Sequence, residues 1–290
     1  MRGLGASRAS QRGVALLLVL WACTLLAILL GGYAALARTE GLQARYQFAH
    51  TRAHYAAEAG LMRALYQLHD PLVKQRWVGD GRLYRFQYDH VAIEVTAVNE
   101  GGKVDLNTAS PEVLQALFQA AGMDPQQARP LAAHVVEWRS APGPAGERSE
   151  QQAAYVAAGR DYSPRHGPFA SVEELQMVLG MTPAIYREVA PVVTIWAGNA
   201  SPDPNTAPPL ALAAIPGMTP QRQHAILAAR QFSGIDQSMA LNNGTTHSIT
   251  SEATLADGTR AVVRATIRVQ AGELGTQPYT VLRWQEGSAE

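Results

Sequence analysis

The side chains that could carry out chemistry are scattered through the 290-residue chain and form no catalytic pattern. Neither a Gly-x-Ser-x-Gly elbow nor an ordered Ser-His-Asp set occurs. Among the eight histidines, only His50 and His54 have a metal-ligand spacing, one helical turn apart, and a solvated helix face is the more common explanation of such a pair. The single cysteine, Cys23, has no second thiol with which to form a disulfide. We therefore expect no enzyme.

Calcium is the metal that the remaining acidic residues could bind. Four carboxylates lie in or beside a Pro- and Gly-rich stretch at residues 141–167: Glu137, Glu147, Glu150 and Asp161. Oxygen ligands beside backbone turns are typical of calcium sites. Because Arg139 and Arg148 lie among them, an ordinary salt-bridged surface is the preferred interpretation and calcium the alternative. We expect this stretch to be a surface loop with a short helix at about 151–158.

An uncharged apolar run separates Arg12 from Arg38, and it is long enough to cross a bilayer as a helix. The leader before it carries three arginines and no acid, which predicts a cytoplasmic N-terminus.

Without the leader, the number of Lys and Arg residues falls from 24 to 21, against 24 Asp and Glu residues. That mildly acidic balance argues against nucleic acid as a partner. Signal-peptide cleavage near Ala37 is an alternative to a retained anchor.

The helical pattern does not stop where the apolar run ends. Residues 43–68 contain no proline and a single glycine, Gly60, and apolar residues recur at three- and four-residue steps. One continuous helix ending before Pro71 is therefore predicted.

Strand patterns flank a helical block on both sides. Alternating residues at 83–88 and 91–97, separated by Asp89 and His90, predict a hairpin. Further strands are predicted at 248–255, 260–269 and 279–284, with a turn at Asp257-Gly258. The predicted fold class is α+β: a long N-terminal helix on a small antiparallel sheet, with a large all-α domain inserted in the sheet.

The helical block contains a recurring hairpin. Helices at about 111–122, 171–180 and 205–216 each end at Gly-Met-Asp/Thr-Pro, where glycine closes one helix, Asp or Thr caps the next, and Pro occupies its first turn. The sequence Asn-Thr-Ala also occurs twice, at 107–109 and 205–207. A duplicated helical module is predicted.

These hairpins are similar to the helix-hairpin-helix units of membrane-anchored DNA-uptake receptors. Such units bind phosphate with Gly-x-Gly backbone nests. Here the second glycine is replaced by Asp124, Thr182 or Thr219, and no hairpin holds a lysine. A DNA receptor is therefore the alternative function, and a structural hairpin the preferred interpretation.

A family resemblance is carried by motifs in a fixed order. A basic leader ending in Gly13 before a long apolar helix resembles the class III signal of type IV pilins and pseudopilins. The further motifs are Tyr55–Leu61, Val104–Ala109, Val136–Arg139, Gly167–Leu175, Leu179–Thr182 and Pro204–Ala207. From about residue 12 to 230 the chain resembles protein K of the type II secretion system, the large minor pseudopilin; the C-terminal strands match only in kind.

The resemblance implies processing and assembly. Prepilin peptidase would cut between Gly13 and Val14, and the new N-terminus would be methylated. Most pseudopilins have glutamate at the fifth mature position, where this chain has Leu18. The expected partners are two minor pseudopilins resembling proteins I and J, the major pseudopilin and the inner-membrane assembly platform, without nucleic acid. The expected location is the inner membrane, single-pass, with the soluble part in the periplasm.

Calcium is a point where the sequence departs from the resemblance. The family usually has an acidic run after its Trp-Arg pair, and its head can bind calcium. Here Ser140 to Gly143 follow Arg139, so we expect no cofactor.

The expected domain boundaries are leader 1–13, membrane segment 14–36, first α/β part 37–103, helical domain 104–230 with modules at about 104–200 and 201–230, and closing strands 231–290.

Overall fold

The computed structural model describes residues 11–70, 72, 75–232, 245–269 and 279–287, with the side chains of 11–13, 145–148 and 231–232 left out. Two compact units are present, residues 1–53 and 54–290, and each is considered separately. The helices are α1 Gln11–Leu68, α2 Pro111–Ala120, α3 Pro125–Arg139, α4 Ala145–Ala157, α5 Pro183–Val189, α6 Pro209–Ala213 and α7 Pro220–Phe232. The strands are β1 Asp80–Tyr88, β2 Val91–Asn99, β3 Val104–Asp105, β4 Val193–Thr194, β5 Thr246–Thr254, β6 Arg260–Val269 and β7 Tyr279–Gly287.

Helix α1 runs unbroken for 58 residues, as predicted. In the first unit its three glycines, Gly31, Gly32 and Gly41, have nothing within 4 Å of where a side chain would lie. Nearly all described side chains of this unit are exposed. An exposed apolar surface of this size is typical of a segment that contacts a membrane or another protein.

The second unit contains an antiparallel sheet in the order β1-β2-β5-β6-β7. The β1–β2 hairpin turns at Asp89 and His90, whose φ angles of 48° and 61° are those of a type I′ turn. Strands β2 and β5 are direct neighbours, although residues 100–245 lie between them in the chain. The large helical insertion in the sheet is therefore confirmed.

Gly60 explains how the helix packs on this sheet. A Cβ built on Gly60 would lie 2.3 Å from Ser251 Oγ and 2.7 Å from Ile93 Cγ2. The helix therefore approaches β2 and β5 more closely than any side chain would allow. Leu61, Ala64 and Leu68 on the same helix are buried.

Strands β3 and β4 form a two-stranded parallel pair within the inserted domain. The sequence did not predict it, because two residues are too few to show an alternating pattern. Val104 pairs with Val193, and the Leu106 N–H donates to the Thr194 carbonyl at 2.8 Å. The pair holds together segments that are distant in sequence.

The stretch at 171–180 is a 3₁₀ helix, Val172–Met177, and not the predicted α-helix. Val172, Leu175 and Val178 are spaced by three and pack against or within the core of the inserted domain. Residues three apart align in a 3₁₀ helix, so this spacing favours the tighter form.

The predicted surface loop at 141–167 is also partly wrong. Helix α4 begins at Ala145, six residues before the predicted start, and Tyr155 is only 1% exposed. The Leu179 N–H donates to the Tyr155 hydroxyl at 3.1 Å, and burial raises the pKa of Tyr155 to about 12. The segment contributes to the core because one aromatic side chain anchors it.

Candidate functional site: the apolar helix and the hairpin domain

The apolar part of α1 is the first candidate site. Its most apolar 18-residue window has a mean hydropathy of 2.7, contains at most two charged residues, and has none of its residues buried. Val14 and Leu18 both lie in this exposed part, and Gly13 is helical in backbone. Length and composition make the helix compatible with membrane anchoring. The roles of Gly13, Val14 and Leu18 stay predictions.

The inserted domain begins with a loop that is held by one arginine, in a role that the sequence did not predict. Asp105 Oδ1 accepts from the Asn107 N–H at 2.7 Å, and the Asp105 carbonyl accepts from the Ala109 N–H at 2.8 Å. Arg139, at the end of α3, donates to the carbonyls of Leu106 at 2.7 Å and Ala109 at 2.6 Å. A planar guanidinium suits two such acceptors.

The same construction recurs almost a hundred residues later. Asp203 Oδ1 accepts from the Asn205 N–H at 2.9 Å, and the Asp203 carbonyl accepts from the Ala207 N–H at 2.9 Å. Arg230, near the end of α7, donates to Ala207 O at 2.8 Å and also to Pro204 O. An aspartate two residues before each Asn-Thr-Ala was the signal in the sequence for this loop.

The three predicted hairpins are present, with positive φ at each glycine: 92° at Gly122, 89° at Gly180 and 73° at Gly217. In each, the following Asp or Thr caps the next helix. Asp124 Oδ1 accepts from Gln126 N at 2.8 Å, and the Thr182 and Thr219 hydroxyls accept from Ile185 N and Arg222 N at 3.3 and 3.2 Å. One amide in the first turn of each following helix is thus bound by the protein's own side chain.

The calcium candidates differ in their surroundings. Glu137 is half-buried with Oε1 unpaired, and burial raises its pKa against the opposing influence of His134 and His166. Glu150 and Asp161 are exposed, and the side chain of Glu147 lies outside the described residues. In the described part of the chain no three His, Cys, Asp or Glu side chains form a group that could hold a metal ion. Calcium binding therefore stays a prediction.

Histidines of the second unit make two kinds of contact: one lies near two glutamates, and two others pack against each other. His54 Nε2 lies 3.5 Å from Glu58 and 3.9 Å from Glu286, an ordinary partly exposed ion-pair arrangement. His69 and His247 face each other edge to face, with ring centroids 5.4 Å apart. Burial lowers the pKa of His247 to about 3, so the ring is neutral near pH 7.

A long N-terminal helix, apolar in its first half and packed in its second half on an antiparallel sheet, is the arrangement of the pseudopilin fold. Residues 93–198 match the family model of type II secretion system protein K. Over 208 residues the chain is 27% identical to type II secretion system protein K of Klebsiella pneumoniae, covering 63% of this chain and 62% of that protein. The match thus spans less than two thirds of the relative.

A solved structure shows the same fold. The chain matches one in the crystal structure of the GspK-GspI-GspJ complex of the enterotoxigenic Escherichia coli type 2 secretion system, with a TM-score of 0.55. Identity is 19%, and the match covers 87% of this chain and 100% of that one. The predicted fold class and the resemblance to protein K are confirmed. The matched family consists of secretion pseudopilins and is not a known class of enzyme.

Proposed function

We propose that this protein is a minor pseudopilin of a type II secretion system, which initiates and caps the periplasmic pseudopilus. The observation that carries the proposal is an exposed apolar helix that continues directly into a pseudopilin fold. Residues 93–198, which include much of the helical domain inserted in the sheet of that fold, match the family model of protein K. In this role the chain is a non-enzymatic, single-pass inner-membrane protein with its second unit in the periplasm.

Assembly with two further minor pseudopilins is part of the proposal. It is supported by the fold match to a chain from a GspK-GspI-GspJ complex. Leu18 supports a terminal position: a buried charge in an apolar bundle needs a partner, and leucine offers none to the N-terminal ammonium of a neighbouring subunit. The replacement of the second hairpin glycine by Asp124, Thr182 or Thr219 speaks against the DNA-receptor alternative.

Processing can be tested at the leader. Prepilin peptidase should convert the wild-type protein to a mature form beginning at Val14, and Gly13→Glu should block that conversion. Gly5→Glu is the matched control, because it adds the same charge to the leader away from the bond and should still be cleaved. Mass spectrometry identifies the N-terminal residue of the wild-type protein and of each variant. A mature N-terminus near Arg38 would contradict the proposal.

The partners and the alternative can be tested with the soluble part, residues 43–290. We expect it to co-purify with the other minor pseudopilins encoded beside it. The same preparation should not shift duplex DNA in a gel. Salt-sensitive DNA retention would favour the uptake-receptor alternative instead.

A further inference from the structure

The first basic side chains after the apolar run form a stripe on one face of α1. Arg38, Arg45 and Arg52 are spaced by seven residues, which is almost two full helical turns, so they lie on one line along the helix. Glu40 is the single acidic residue between Arg12 and Arg52, and it lies about 200° around the helix from Arg38. The stripe therefore carries positive charge only.

Arg38 and Arg45 are free to bind a partner from outside the chain. Both are exposed, and neither makes a hydrogen bond or an ion pair with any residue that the structure describes. By contrast, the exposed Arg85 of β1 holds Glu94 at 2.7 Å. The charges of Arg38 and Arg45 are thus not compensated within the described chain.

The length of the apolar run places these two arginines at the surface of a bilayer. As a helix, residues 14–37 span about 36 Å, whereas the hydrocarbon core of a bilayer is about 30 Å thick. Arg38 then lies at the level of the lipid headgroups. Arg45 lies about 10 Å further out, where its long side chain can extend back towards the lipid. Arg52, about 21 Å beyond Arg38, lies outside the headgroup layer.

Aromatic side chains mark the same level of the helix. Tyr33 and Tyr46, which flank the two arginines, are 72% and 66% exposed. Exposed tyrosines are typical of the interface between a membrane and water, where the ring contacts lipid and the hydroxyl contacts water. This part of α1 therefore has the composition of a segment in the headgroup layer.

The position of the arginines is opposite to the usual charge distribution of membrane proteins. Under the proposed function the leader arginines are removed, and no Lys or Arg lies between Val14 and Arg38. All basic side chains near the membrane in the mature protein are then on the periplasmic side. Because the positive-inside rule places such residues in the cytoplasm, it does not account for Arg38 and Arg45.

We propose that Arg38 and Arg45 bind the phosphate groups of anionic phospholipids in the periplasmic leaflet. A planar guanidinium suits two phosphate oxygens, and an anionic lipid surface attracts basic residues that lie beside it. The inference rests on the membrane anchoring in the proposed function, and it adds the class of lipid that the anchor selects.

The probe is phosphatidylglycerol, and phosphatidylcholine, whose headgroup has no net charge, is the comparison. The full-length protein in detergent is titrated with each lipid, and native mass spectrometry measures the fraction of protein with lipid bound. We expect tighter binding of phosphatidylglycerol. Arg38→Gln and Arg45→Gln should each weaken that binding about fivefold, because a basic residue at an anionic lipid surface contributes about 1 kcal/mol. Binding of phosphatidylcholine should change less than twofold.

Two controls locate the binding. Arg222→Gln removes the same charge from an exposed position on α7 and should leave the affinity for phosphatidylglycerol unchanged. Arg38→Lys keeps the charge and should weaken binding less than Arg38→Gln; it also serves if the glutamine variant is not obtained in folded form. All variants keep the leader arginines, so the contribution of the leader is the same in each.

The inference is overturned if the two lipids bind alike, or if Arg38→Gln and Arg45→Gln bind phosphatidylglycerol as tightly as Arg222→Gln. Loss of co-purification with other minor pseudopilins at unchanged lipid affinity would also overturn it, by assigning the stripe to a neighbouring protein. Carbonate extraction of vesicles measures insertion separately. A protein that is extracted contradicts the anchor in the proposed function, whereas an inserted protein without lipid preference contradicts this inference alone.

Discussion

At the scale of single residues, His247 is the group whose environment departs most from its ordinary state. Its side chain is buried at the start of β5, with Nδ1 unpaired and the His69 ring against it. His69 Nδ1 lies 2.9 Å from the Leu65 carbonyl, and burial lowers its pKa, with Arg76 acting in the same direction. A proton added to His247 would therefore be a buried charge without a described counter-ion.

This arrangement predicts acid sensitivity. The folded pKa of His247 is about 3 and the unfolded value is 6.5, so between these pH values the unfolded state binds more protons. Stability is then fully present above pH 6.5 and falls as the pH drops, by about 1.4 kcal/mol per pH unit. His247→Phe should flatten this slope in urea titrations at pH 6.5, 5.5 and 4.5. The exposed His224→Phe is the control and should keep the wild-type slope.

At the scale of elements, periodicity predicted most of the structure. Helix α1, the β1–β2 hairpin and the capped hairpins carry strong local signals: unbroken helical spacing, strict alternation, and Gly-Met-Asp/Thr-Pro. The β3–β4 pair, the 3₁₀ helix at Val172–Met177 and the buried Tyr155 depend on contacts made far along the chain. Local pattern carries no information on such contacts, and for the same reason the bonds from Arg139 to the loop at 105–109 were not predicted.

The close approach of α1 to the sheet gives a prediction for this element. Gly60→Ala should destabilise the protein by about 1–3 kcal/mol, because its methyl group overlaps Ser251 and Ile93. Gly41→Ala on the same helix meets nothing and should be neutral or stabilising through helix propensity. Thermal unfolding of both variants in detergent compares them. Equal melting temperatures would contradict the packing described for Gly60.

At the scale of the whole molecule, the chain combines an exposed apolar helix with a sheet that carries a bulky domain. Under the proposed function, the helix enters a bundle of neighbouring helices while the domain limits stacking on one side. The sequence predicted this combination through the leader, the apolar run and the protein K motifs. It could not predict the faces that contact partners, because those depend on surfaces of other chains.

Leu18 provides the test at this scale. Leu18→Glu restores the acidic side chain of most pseudopilins, so the variant should enter filament interiors more readily than wild type. Leu18→Gln is the control, because glutamine is similar to glutamate in size and polarity but carries no charge. This variant should stay at the tip. Immunogold counts along sheared pili measure the difference. Unchanged tip placement of the glutamate variant would contradict the charge argument.

The adjacency of β2 and β5 also has a consequence for biogenesis. Under the proposed function the chain emerges from a translocon with the β1–β2 hairpin first, and the edge of β2 is exposed until residues 246–254 arrive. Unpaired edges are aggregation-prone, and non-local pairing is slow. The inserted domain has its own core and shortens the distance between its two ends once it folds. We therefore expect its folding to precede closure of the sheet, and we expect a variant that slows folding of the domain to expose the edge to proteases and chaperones for longer.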